Sequence, residues 1–121
     1  MSVRVELDQL RAEVHRFGAL PYLLTVGGDG RPHATSVHAS WEGERLAVRA
    51  GRRSLANAGE RPDVTLLWAP VEPGGHSLIV DGAAAVEGDR VLVGPTSAIL
   101  HRTAAAGPDE PAASDCVRLE G

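Results

Sequence analysis

Apolar side chains recur at Leu7, Leu10, Val14 and Phe17, with Asp8, Arg11, Glu13 and Arg16 set between them. Intervals of three and four predict one amphipathic helix from about Val5 to Phe17. Gly18 ends it and Pro21 follows shortly after. The period then shortens. Leu20 to Val26 is a mostly apolar run, and Gly27-Gly-Asp-Gly30 is a turn cluster. From Pro32 to Ser40 the chain alternates. Ala34, Ser36, His38 and Ser40 lie on one face, with Thr35, Val37 and Ala39 on the other. A strand, a Gly/Asp turn and a second strand predict a hairpin.

Glu42-Gly-Glu44 turns into a third strand ending near Arg49. A short helical piece, Ser54 to Gly59, interrupts the meander before Pro62-Asp63 restarts it with Val64 to Ala69. After the Val71 to Gly75 loop comes a long strand, His76 to Val86, with Leu78, Val80 and Gly82 opposite Ile79, Asp81 and Ala83. A glycine inside such a run marks a bulge or a close approach. Glu87-Gly-Asp89 is another hairpin turn. Arg90 to Val93 and Ser97 to Arg102 follow as strand material, interrupted by Gly94-Pro95. Residues 1–102 read as one domain and 103–121 as an Ala/Pro-rich tail, in which Asp115 to Leu119 is a last short strand. The chain is therefore mainly β with minor α. About six antiparallel strands form a closed or nearly closed barrel, with an N-terminal helix and a short helix between strands 3 and 4.

A chain of 121 residues suits one domain with a modest core, and a second copy would add buried surface. The formal net charge of −4 gives no general affinity for nucleic acid. Every strong base is arginine, so arginine at any one position carries less meaning than usual. The lone Cys116 excludes an internal disulfide, and no cysteine cluster implies zinc. No apolar run is long enough for a membrane helix, and the charged, periodic N-terminus is not a signal peptide; a cytoplasmic protein is expected.

The chemistry concentrates in Arg49-Ala-Gly-Arg-Arg-Ser-Leu-Ala-Asn57. Fixed cations next to a helix start favour an anion, most often a phosphate. A solvated basic turn is the plainer alternative. His33 and His38 are five apart on a strand and face opposite sides, so they make no local metal pair. No metal site is expected. His33, at the strand start, is the better ligand candidate. Trp68 reads first as a core or interface tryptophan. No Ser/His/Asp set suggests hydrolysis, and no residue identifies itself as a catalytic acid or base.

In order and spacing, three segments resemble the split-barrel family of the pyridoxamine 5′-phosphate oxidase type, which binds FMN or the deazaflavin F420. They are Leu24-Thr-Val-Gly-Gly-Asp-Gly-Arg-Pro-His-Ala-Thr-Ser-Val37, Leu46 to Asn57, and Pro62-Asp-Val-Thr-Leu-Leu-Trp68. Ser77 to Gly82 and Ala98 to Arg102 are similar to the later barrel strands, and the likeness spans roughly residues 18–102. It implies a homodimer with cofactor sites at the subunit interface. The cofactor would lie along His33, Thr35, Ser36 and Val37, its phosphate gripped by Arg49, Arg52, Arg53 and Ser54, with Asn57 a further polar contact. Haem is a third ligand, because relatives of this fold bind it. The resemblance departs from the oxidase proper at Thr35, where an arginine is expected, and lacks the long C-terminal substrate segment. The implied activity is hydride transfer between FMN or F420 and a small molecule, not pyridoxine phosphate oxidation. The alternatives are a non-catalytic flavin or haem module and a cofactor-free dimeric scaffold.

Overall fold

A computed structural model describes residues 1–103. Cys116 and the expected strand at Asp115 to Leu119 lie outside the described residues. Eight strands form one antiparallel sheet: β1 (Ser2–Arg4), β2 (Tyr22–Val26), β3 (Pro32–Ser36), β4 (Ala39–Glu42), β5 (Arg45–Arg49), β6 (Asp63–Trp68), β7 (Ser77–Glu87) and β8 (Arg90–His101). The order across the sheet is β3-β2-β6-β7-β8-β5-β4, with β1 added to β8. Two helices, α1 (Leu10–Phe17) and α2 (Arg52–Glu60), complete the fold.

The expected six strands become eight, and the sheet is not closed by hydrogen bonds. Its two end strands, β3 and β4, are instead consecutive in the chain. What reads as one strand from Pro32 to Ser40 breaks between Ser36 and Ala39. Val37 and Ala39 there donate to the carbonyls of Pro21 and Ala19 at 3.0 and 2.8 Å. Alternation survives the break because Val37 and Ala39 both stay buried. The pattern therefore concealed a change of pairing partner from β2 to β5.

Two other differences have the same origin. The N-terminal segment is not one helix. Residues 2–4 pair with β8 about a hundred positions away, with Val3 opposite Leu100, and a short 3-10 turn at Leu7–Gln9 leads into α1. Leu10 and Val14 are buried and Phe17 packs against the core, whereas Leu7 is 49% exposed. Gly94-Pro95 does not interrupt β8 either. Asp81 pairs with Ser97 and Gly82 with Pro95, so Thr96 is an extra residue, a bulge, and Pro95 sits where a missing N–H is tolerated. Gly82 is required at this point. A Cβ there would lie 2.6 Å from Val93 Cγ1 and 2.7 Å from the Gly94 carbonyl oxygen.

Inward side chains from every long strand make the core: Leu23, Leu46, Val64, Leu66, Leu78, Val80, Val91 and Val93. Trp68 belongs to it, 2% exposed, and its indole N–H donates to the Gly18 carbonyl at 2.8 Å. That bond ties the barrel to the end of α1. Among the described residues no helix packs on the outer face of the sheet, where Tyr22, Leu67, Ile79 and Ile99 stand in register across four neighbouring strands.

Candidate functional site

The helix α2 begins where β5 ends. Gly51 caps it without a side-chain hydrogen bond, and the first bond within the helix runs from Leu55 N–H to the Gly51 carbonyl. The N–H groups of the first turn are thus left without intrahelical partners. They carry the positive end of the helix dipole.

The helix is held against β2 by polar side chains. Asn57 Nδ2 donates to Thr25 Oγ1 at 3.1 Å, and both residues are buried. The hydroxyls of Ser54 and Thr35 lie 3.4 Å apart, with Ser54 1% exposed. Arg61, just past the helix, donates through Nε to the Val26 carbonyl at 2.6 Å. Inward-facing threonines on β2 and β3, where a barrel core would take valine, mark this side of the sheet as the helix seat.

Between α2 and the β2–β3 turn lies an open cleft of about 690 Å³. Gly27, Gly28, Asp29, Arg31, Pro32, His33, Arg53 and Asn57 line it. The turn is built by its own chain. Asp29 Oδ1 accepts the Arg31 N–H at 3.0 Å, Gly27 N–H donates to the Arg31 carbonyl at 2.9 Å, and Gly30 takes a φ of 81°. The result is a groove with two arginines and a histidine on its walls, one of the arginines in the first turn of α2.

Of the residues expected to bind a ligand, His33, Arg53 and Asn57 line the cleft. Thr35 and Ser54 do not line it; their hydroxyls meet each other between β3 and α2. Ser36 is exposed on the opposite face of β3, and Val37 is buried in the core. Arg52 is exposed and does not line the cleft. Arg49 is engaged elsewhere, in an ion pair with Asp89 of the β7–β8 turn. Asp29 and Arg31 line the cleft in addition to the expected residues. The signal was present: a turn of three glycines and an aspartate directly follows a strand whose inward residue is Thr25.

A second set of charges links the ends of β4, β7 and β8. Arg90 grips Glu42 with both arms of its guanidinium, at 2.6 and 3.2 Å, and also reaches Glu87. The hydrogen bond and charge of Arg90 hold the Glu42 carboxyl below the usual glutamate range, and Glu42 in turn raises Arg90. The hydrogen bond from Arg49, then its charge, likewise lowers Asp89. All these groups are open to solvent, so they fix geometry more than they stabilise. Among the described residues no cluster of His, Cys, Asp and Glu could hold a metal ion, and no helix is long and apolar enough to cross a membrane.

Comparison with solved structures defines the class of fold. A pyridoxamine 5′-phosphate oxidase-like protein of Listeria innocua superposes with a TM-score of 0.57 at 18% identity, covering 81% of this chain and 94% of the other. A FAD-binding protein of Mesorhizobium loti gives 0.62 at 11% identity, covering 86% and 98%. The haem storage protein HutZ of Vibrio cholerae gives 0.59 at 16% identity, covering 81% and 96%. The fold is a split barrel of the pyridoxamine 5′-phosphate oxidase type. No protein-family model matches the chain. The uncharacterized protein Mb0449c of Mycobacterium bovis is 36% identical over 136 aligned positions, covering 94% of each chain. The uncharacterized protein MT0457 of Mycobacterium tuberculosis matches to the same extent. The chain belongs to the family of these mycobacterial proteins.

Proposed function

We propose that the chain binds a phosphate-bearing flavin or deazaflavin, FMN or F420, in the cleft between α2 and the β2–β3 turn, and serves as an oxidoreductase for a small molecule. The observation that carries this reading is the position of Arg53. It lines the cleft at the start of α2, where first-turn N–H groups have no intrahelical partner. A guanidinium and helix-start amides together suit a dianionic phosphate. His33 lines the same cleft from β3, along the strand where the ring system would lie. When bound, such a cofactor supplies hydride chemistry that no side chain can. The protein's part is to grip the phosphate, orient the ring and leave one ring face open to substrate.

The working unit in this reading is a homodimer, joined through the bare sheet face that carries Tyr22, Leu67, Ile79 and Ile99. A small core and an apolar band that no described helix packs on both favour a second copy. Related folds include a haem storage protein, so non-catalytic haem binding is the competing reading, with His33 as the cleft histidine available to the iron.

Titration of the purified protein with FMN, F420 and haemin, followed by absorbance and fluorescence, tests the proposal. Saturable binding of FMN or F420, with weaker binding of phosphate-free riboflavin, is expected. A Soret band with no flavin binding would replace the oxidoreductase by the haem reading. Binding without turnover in the presence of a reductant and an electron acceptor would leave a carrier.

A further inference from the structure

Gly27 N–H donates to the Arg31 carbonyl at 2.9 Å, so the backbone of Gly27 faces β3. Backbone groups alternate in direction along a strand. Val26, one residue earlier, therefore turns its carbonyl the other way, towards β6. The ladder between β2 and β6 has already ended there. It runs from Tyr22–Leu67 to Leu24–Thr65, and its continuation would have set Val26 opposite Asp63. The Val26 carbonyl is taken by a side chain, Nε of Arg61, at 2.6 Å.

Arg61 also belongs to α2. Its own N–H donates to the Asn57 carbonyl at 2.8 Å and closes the last turn of the helix. One residue thus ends the helix that carries Arg53 and Asn57 and holds the strand end from which the Gly27 to Arg31 turn springs. That turn and that helix line the cleft, whereas Arg61 does not. The hydrogen bonds of the turn run within it, from Gly30 N–H to the Gly27 carbonyl and from Arg31 N–H to Asp29 Oδ1. They fix its shape and not its distance from α2. The Asn57–Thr25 bond joins helix to strand one residue further from the turn. Arg61 Nη1 also meets Glu60 Oε2 at 3.3 Å, but Glu60 is an exposed neighbour on the same element and holds little.

We infer that Arg61 is a positioning residue of the cleft: its Nε sets the glycine-rich turn against α2, and it acts through this hydrogen bond and not through its charge. This rests on the reading of the cleft as the ligand site, but the bond itself can be tested without a ligand.

Two substitutions separate donor from charge. Glutamine carries its amide nitrogen as many bonds from Cα as arginine carries Nε, and it is neutral. Lysine keeps the cation and places a methylene at that position. Arg61→Gln should therefore behave as the parent does, and Arg61→Lys as Arg61→Ala does. The readout is amide hydrogen exchange at Gly27, Gly30 and Arg31, followed by NMR, with the fully buried Val80 of β7 as the reference. Arg61→Ala and Arg61→Lys should speed exchange in the turn by about 3- to 10-fold, the range of one net hydrogen bond, and leave Val80 unchanged. Turn amides that do not respond to Arg61→Ala would overturn the inference. So would an acceleration shared by Val80, which reports a general loss of stability. Rescue by Arg61→Lys without rescue by Arg61→Gln would assign the effect to charge and overturn it too.

FMN titration of the parent and the three variants is the separate arm. Affinity should fall in Arg61→Ala and Arg61→Lys by a similar factor and hold in Arg61→Gln. If FMN binds none of these proteins while the exchange pattern holds, the flavin reading is lost and the role of Arg61 in setting the turn stands. If FMN binds all of them alike, the flavin reading stands and Arg61 does not position the site.

Discussion

Arg49 donates from Nε at 3.1 Å and from Nη2 at 2.7 Å to the same carboxylate oxygen, Oδ2, of Asp89. The next residue continues the contact, since Ala50 N–H donates to the Asp89 carbonyl at 3.0 Å. The arginine nearest the strand end therefore braces the loop that launches α2, and Arg53, four residues on, faces the cleft. The two belong to one basic run in the sequence and to different tasks in the fold.

The first prediction separates them. Arg53→Ala should lower FMN affinity by on the order of 10- to 100-fold, the cost of one charge-assisted contact at about 1.5–3 kcal/mol. Arg49→Ala should change it by no more than about 3-fold, because its guanidinium is already committed and its effect is indirect. Riboflavin affinity should be insensitive to both. An equal loss for both variants, measured by fluorescence titration, would return Arg49 to the phosphate.

The pH dependence of the brace follows from its direction. Arg49 lowers the Asp89 pKa in the folded state, chiefly by hydrogen bonding. The contribution is present above the ordinary aspartate range and is lost as pH falls through the lowered folded value. Thermal melts of the parent and Asp89→Asn should differ slightly at neutral pH and converge in acid. The gap should also narrow in high salt, since both partners are exposed. A difference that grows on acidification would show that the pair does not act this way.

How much of this could be read from the chain depends on the range of the interaction. The hairpin turns Gly27 to Gly30, Glu42 to Glu44 and Glu87 to Asp89 are local events and carry their own turn residues, so β2–β3, β4–β5 and β7–β8 were legible. Gly82 was legible as a special position for the same reason. The pairing of Val3 with Leu100 was not, because nothing near Val3 records a partner at the other end of the domain. Leu7 fitted the helical period but precedes α1, in a turn where the period no longer predicts burial. At the site, the basic run announced an anion, but its division between Arg49 and Arg53 depends on Asp89, 40 residues away. Arg31 carries no such signal, because a turn sequence specifies its own conformation and not which neighbour it faces.

The helix α1 supplies a clean stability test. Leu10 is 1% exposed in the core, so Leu10→Ala should cost about 2–5 kcal/mol through lost contacts and a cavity. Leu7→Ala should be nearly silent in the isolated subunit, because Leu7 is 49% exposed. Urea unfolding monitored by tryptophan fluorescence gives both values. Comparable losses for the two would restore a single continuous helix docked on the barrel.

Gly82 and Gly28 make a matched pair on opposite sides of the same argument. A methyl group at Gly82 meets Val93 Cγ1 at 2.6 Å and the Gly94 carbonyl oxygen at 2.7 Å. The first neighbour can rotate; the second is backbone fixed by the bulge, so β8 must shift. Gly82→Ala should destabilise by about 1–3 kcal/mol, the usual range for overpacking. At Gly28 an added Cβ meets nothing within 4 Å, so Gly28→Ala should fold as the parent does. Similar melting temperatures for Gly82→Ala and the parent would mean that the close approach at the bulge is looser than described.

The last prediction concerns the second copy. Tyr22, Leu67, Ile79 and Ile99 form one row across β2, β6, β7 and β8, and Tyr22 is 46% exposed although it stands in a sheet. The helices pack on the other side of the strands, so nothing within the described residues covers the row. If this face joins two subunits, a charge in its middle must be buried without a partner, which disfavours association strongly while leaving the isolated barrel folded. Ile79→Asp should therefore convert a dimer of twice the chain mass into a monomer, read by light scattering at micromolar concentration. Its circular dichroism should match the parent. Val71→Asp, an equally apolar and 68% exposed position in the β6–β7 loop, should leave the dimer intact. FMN affinity should fall with the dimer if the cleft needs the partner to be complete, and should be unchanged if it does not. A parent that is monomeric at this concentration, or an Ile79→Asp variant that remains dimeric, removes this face as the seam.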